Sequence, residues 1–231
     1  MSSYGTSGET RRGFILSTRG WKIVTLATFL SLTNVALMYV LVGTPISALN
    51  QFLFSVPILG VLVYGAALFV GEWIAERGVK TDSLPIAVVG TLVLQFAFGI
   101  FGAGVLAFAP EVLRLAILGV TAAITAGMTF LIAVYVYARS KSFESWGTYA
   151  NGSFLLGVLA IAVGTFVSPV LLVGFVLIFL GFLLRLGWEI WRVRERPNIP
   201  ASLHAIGIYI AVMGVFVHIL QIVLRVLARR Q

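Results

Sequence analysis

The chain has 231 residues, of which 60% are hydrophobic and 10% charged; its net charge is +8 and it has no cysteine. This balance excludes an ordinary soluble domain, where about a quarter of the residues are charged. The missing thiols exclude disulfides, thiolate metal sites and cysteine nucleophiles. The excess base gathers at the ends of apolar runs, so membrane lipid headgroups are its expected partners and nucleic acid is not.

Residues 1–18, MSSYGTSGETRRGFILST, are polar and lack the charged start, short apolar core and small-residue cleavage site of a signal peptide. A retained cytoplasmic tail is expected there, followed by one transmembrane domain over 19–231. A membrane-crossing helix needs roughly 20 apolar residues. Runs of that length fall near 21–43, 51–76, 84–108, 112–137, 149–167, 170–191 and 201–227. The expected fold class is therefore all-α, a polytopic bundle of seven transmembrane helices. Most prolines fall near junctions, but Pro57 lies inside the second run and predicts a kink there.

Seven crossings place the N-terminal tail and loops 2-3, 4-5 and 6-7 on one side. That side carries twelve of the sixteen Lys and Arg residues, and all five tryptophans lie at its end of a span. The positive-inside rule then predicts a cytoplasmic N-terminus and an external C-terminus, in a prokaryotic cytoplasmic membrane.

The last run, HAIGIYIAVMGVFVHILQIVLR (204–225), carries His204, Gly207, Ala211, Gly214, His218, Gln221 and Arg225 along one helical stripe. Unpaired polar groups cost several kcal/mol in hydrocarbon, so the stripe is expected to face the bundle interior. Candidate partners form two sets by depth. Glu72, Glu76, Arg185, Glu189 and His204 lie near the cytoplasmic ends; Asn34, Gln95, Thr125, His218 and Gln221 lie nearer the midplane, where Thr125 belongs to a hydroxyl row with Thr121 and Thr129. Arg185 and Glu189, spaced i, i+4, are expected to pair within their helix. The run GIFGAG (99–104) is expected to permit close helix contact.

His204 and His218 lie about 21 Å apart on a common face, a spacing suited to two haems, but four axial ligands would be needed and the chain has two histidines. No cofactor and no resident metal are expected. The motifs HExxH, GxSxG and GxxxxGK[ST] are absent, so no catalytic residue is expected. Nor is a retinal protein, because the last lysine is Lys141.

Three stretches carry a resemblance to the Bax inhibitor-1 (TMBIM) family of seven-helix membrane proteins. They are 121–166 with its loop SKSFESWG, FLGFLLRLGWEIWRVR (179–194), and IGIYIAVMGVFVHILQIVL (206–224) with Tyr209, Phe216 and Leu220 in register. The resemblance implies a pH-sensitive calcium leak gated by two membrane aspartates. Gly187 and Ala211 stand at the matching positions, so that gate is altered or lost. Any cation path would use Glu72, Glu76 or Glu189 instead, and calcium, which takes six to eight hard oxygens, finds no carboxylate in the midplane set. The expected pathway joins Asn34, Gln95, His218 and Gln221 in one cavity, plugged by Glu72, Arg185 and Glu189. A non-conducting structural or regulatory subunit of a membrane complex, with a partner chain, is the alternative.

Overall fold

The structure is a computed structural model that describes residues 17–228. The tail through residue 16, with Arg11 and Arg12, and the terminal Arg229 and Arg230 lie outside the described residues. The helices are α1 (Thr18–Leu41), α2 (Pro45–Leu53), α3 (Pro57–Lys80), α4 (Leu84–Leu106), α5 (Arg114–Ala138), α6 (Glu144–Gly164), α7 (Ser168–Glu195) and α8 (Ala201–Ala228). All except α2 are long and apolar enough to cross a membrane, which makes this an all-α, seven-span bundle. We call the face where α1 begins the N-side and the opposite face the C-side.

The sequence punctuates these helices legibly. Ser17 accepts the Gly20 N–H at 3.1 Å and caps α1. Pro45, Pro57, Pro85 and Pro169 stand in the first two positions of α2, α3, α4 and α7, where a missing N–H costs nothing. Pro57 therefore starts a helix and does not kink one. The span expected at 51–76 begins only at Pro57, and its first residues belong to the end of a separate nine-residue helix, α2, too short to cross. α2 buries Ser47 and Asn50 and exposes Ile46, Leu49 and Phe52, the pattern of a helix lying along a membrane surface.

Glycines set which helices touch. A Cβ on Gly90 would come within 2.6 Å of the Ala75 Cα, and one on Gly164 within 2.6 Å of the Leu171 Cα. The hairpins α3–α4 and α6–α7 thus close backbone to backbone. In the GIFGAG run, Gly99 and Gly102 receive Leu37 and Met38 of α1, and Gly104 receives Asn50 of α2, as the sequence predicts.

α8 is the axis of the molecule. It packs against α7, α1, α5, α4 and α3, and 72% of its most apolar stretch is buried, against 17–33% for the other six spans. The expected stripe is only part of this: Ile206, Tyr209, Met213, Val217 and Leu220 are buried as well, on faces the stripe does not include. Along the stripe, His204, Gly207, Ala211, Gly214 and His218 are enclosed, Gln221 is half-buried and Arg225 is exposed.

Several basic residues on the N-side hold helix ends. Arg194 donates to the carbonyls of Val136 (2.6 Å), Arg139 (2.8 Å) and Lys141 (3.1 Å) at the end of α5. Arg19 donates to Ile199 O at 2.8 Å and Val193 O at 3.4 Å beyond and within the end of α7. Both place positive charge against exposed carbonyls, where the helix dipole favours it. Trp21 and Trp73 are exposed at the same level, whereas Trp191 is buried, so the tryptophan belt is partly a packing layer.

Candidate functional site

The α3–α4 and α6–α7 hairpins are each closed by glycine, but α3 and α6 touch each other only lightly. A half-enclosed cavity of about 860 Å³ occupies the cleft between them, with α8 as its back wall. Its polar lining comes in two levels. Glu72 of α3, Arg185 of α7 and Asn151 of α6 line the end toward the N-side, and Asn50, Gln221, Arg225 and Ser168 line the end toward the C-side. Tyr64 and His218 lie between them along their helices, among eight phenylalanines that include Phe54, Phe101, Phe175 and Phe182. Ser168 and Arg185 are separated by about 25 Å along α7, at 1.5 Å rise per residue, so the cavity runs through most of a bilayer core.

The floor is an ion pair. The Arg185 Nη2 donates to the Glu72 Oε1, with the side chains 19% and 32% exposed. This pair joins the two hairpins across the cleft. The expected i, i+4 pair of Arg185 with Glu189 does not form. Glu189, 1% exposed, instead accepts from Arg192 Nη1 at 3.0 and 3.2 Å, one turn further on. Three-residue and four-residue spacings both bring side chains together on a helix, and the choice fell to α3, which presents Glu72 to Arg185. Glu189 packs against α8, where a Cβ on Gly207 would lie 2.6 Å from its Oε1. It does not line the cavity, so the plug expected from Glu72, Arg185 and Glu189 is corrected to Glu72 and Arg185 alone.

The midplane set divides. Asn34 is fully enclosed and its Nδ2 donates to Gln95 O (2.9 Å), Gln95 Oε1 (2.8 Å) and Tyr209 Oη (3.0 Å). The Gln95 Nε2 in turn donates to Leu30 O at 2.9 Å. This network ties α1, α4 and α8 together; none of its three side chains lines the cavity, and Gln95 borders a second hollow of about 530 Å³ beside α1. The predicted convergence of Asn34 and Gln95 with His218 and Gln221 is thus corrected: the two amides bond to each other and to Tyr209, and neither lines the cavity. Thr121 and Thr129 bond carbonyls of their own helix, so the hydroxyl row bridges nothing.

His218 does line the cavity, 6% exposed. Its Nδ1–H donates to Gly214 O at 2.7 Å. Phe175, Phe179 and Phe182 surround the ring at 4.9–5.6 Å between centroids. His204 is buried 14 residues earlier, its Nε2 donating to Arg196 O at 3.2 Å. Gly187 lies beneath Trp146 of α6, and Ala211 is buried in the same apolar cluster as Trp146, Leu186 and Ile190.

Sequence reasoning missed Asn151, Asn50, Tyr64 and the pairing role of Tyr209. An asparagine inside an apolar span was the available signal for Asn151. The others depend on which helices adjoin. Among the described residues no group of three or more His, Asp or Glu is placed to hold a metal ion.

Fold and site together define a polytopic integral membrane protein with an elongated intramembrane groove. Compared with protein-family models, characterised proteins and solved structures, the chain finds no match.

Proposed function

We propose that the chain is a Bax inhibitor-1-like membrane protein whose groove is the C-side part of a cation pathway, held shut in this conformation by Glu72 and Arg185. The observation that carries this reading is the cavity itself: it runs from Arg225 and Ser168 down to a half-buried ion pair and is lined there by no other acid. Breaking that pair frees one carboxylate at the narrow end, the minimum a cation needs. Glu189 with Arg192 then forms a second barrier nearer the N-side. The single carboxylate argues for protons or monovalent cations over calcium, which takes six to eight oxygen ligands. By the charge asymmetry of the loops, the N-side faces the cytoplasm and the C-side end of the groove, at Arg225 and Ser168, faces outward.

The test is ion flux into liposomes holding the purified protein, for sodium, potassium and calcium between pH 5 and 8. Wild type is expected to leak slowly. Arg185→Gln is expected to raise monovalent flux about tenfold, equivalent to lowering the barrier by roughly 1.4 kcal/mol. His218→Ala and Glu189→Gln test the groove wall and the second barrier. Flux in no variant at any pH would remove the leak reading. The reading then favoured is a non-conducting structural or regulatory subunit, for which the buried Asn34–Gln95–Tyr209 lock is the supporting observation.

A further inference from the structure

The groove has more room and more apolar wall than a shut ion path requires. Its volume of about 860 Å³ lies at the upper end of the range for ligand pockets, roughly 300–1,000 Å³. Two of its lining residues, Phe69 and Leu172, are 71% and 56% exposed on the lipid-facing rim, so its opening is toward acyl chains. Yet polar groups without partners line its C-side half. The buried Asn50 Oδ1 and Tyr64 Oη make no hydrogen bond among the described residues. The Arg225 guanidinium lies 4.9 Å from the Phe175 ring, with no acid bound to it among the described residues. Buried polar atoms ordinarily find a partner, and a cation on an aromatic face still attracts an anion. At the other end Arg185 is already neutralised by Glu72.

An apolar trough about 25 Å long, open sideways to the membrane, with one unneutralised cation at one end and two idle hydrogen-bonding groups in the same half, matches one chemistry. We propose that the groove binds a single anionic glycerophospholipid of the C-side leaflet. Its acyl chain lies along Phe54, Phe101 and Phe182, its phosphate meets Arg225, an ester carbonyl accepts from the Tyr64 hydroxyl, and a headgroup hydroxyl donates to the Asn50 Oδ1. Apolar burial supplies the affinity, and the charge selects the headgroup. The inference does not depend on conduction, because it concerns occupancy of the groove and not passage through its floor.

Gly65 gives a clean perturbation: it lines the groove, and a Cβ there meets nothing within 4 Å. The protein would be reconstituted in vesicles of equimolar phosphatidylglycerol and phosphatidylcholine, extracted in mild detergent and weighed by native mass spectrometry. Wild type is expected to retain one phosphatidylglycerol per chain, favoured about tenfold over phosphatidylcholine, or roughly 1.4 kcal/mol. Arg225→Gln, at an exposed position, is expected to equalise the two lipids. Gly65→Trp is expected to retain neither. Equal retention of both lipids by wild type, or retention by Gly65→Trp matching wild type, would overturn the proposal, as would a Gly65-sensitive ligand that is not a lipid.

Discussion

Arg185→Met tests the joint between the two hairpins most directly. Two unit charges about 4 Å apart attract by about 4 kcal/mol at an effective dielectric near 20. Glu72 is 32% exposed to the groove and Arg185 19%, so part of that attraction is lost to hydration. Removing the arginine alone should cost about 3 kcal/mol, the low end for breaking a buried pair, because Glu72 is left charged against apolar walls. Glu72→Leu should cost less, about 1–2 kcal/mol, since Arg185 retains the field of Glu189 nearby. The double replacement Glu72→Leu/Arg185→Met removes both charges and should cost about 1 kcal/mol or less. The two single losses should then exceed the double loss by about 3 kcal/mol. Unfolding in mixed micelles by rising SDS, followed by tryptophan fluorescence, measures all four proteins. Losses that add to within about 0.5 kcal/mol would show the two groups uncoupled and refute the stapled cleft.

Gly90→Val forces a branched side chain against the Ala75 backbone of α3 and should destabilise by at least about 2 kcal/mol. Gly65→Ala, facing open space, should stabilise by about 0.5–1 kcal/mol through helix propensity alone, and the same unfolding assay separates them. The chain has no cysteine, so single cysteines report orientation cleanly. In intact cells an impermeant maleimide should label Glu111→Cys on the C-side and reach Lys141→Cys only after permeabilisation; the reverse pattern would invert the proposed topology.

The paired prolines show how local signals can be outvoted by composition. Pro45 and Pro57 each open a helix, and each constrains the residue before it, so the junction at Phe54–Val56 was written in the chain. The apolar run through it masked the signal, because a surface-lying helix and a spanning one share their apolar residues and differ in length and in which face is wet. The ion pairs show the opposite case. Nothing in the spacing of Arg185, Glu189 and Arg192 decides which of them pair; the approach of α3 does, by presenting Glu72.

Composition by itself determined that this chain belongs in a membrane, and apolar run length determined seven crossings, because each helix must satisfy its own backbone in a solvent without water. Sequence also determined that most of the polar seam of the last helix, from His204 to His218, is enclosed by protein, since such groups are too costly in lipid. Only the tertiary structure decided that α8 is enclosed on nearly every side, that Asn34 and Gln95 lock to Tyr209 apart from His218, and that a cleft separates the hairpins. Those outcomes depend on which helices touch, and contact is set by glycine positions acting across the bundle. A chain read one segment at a time carries the residues of those contacts without their pairings.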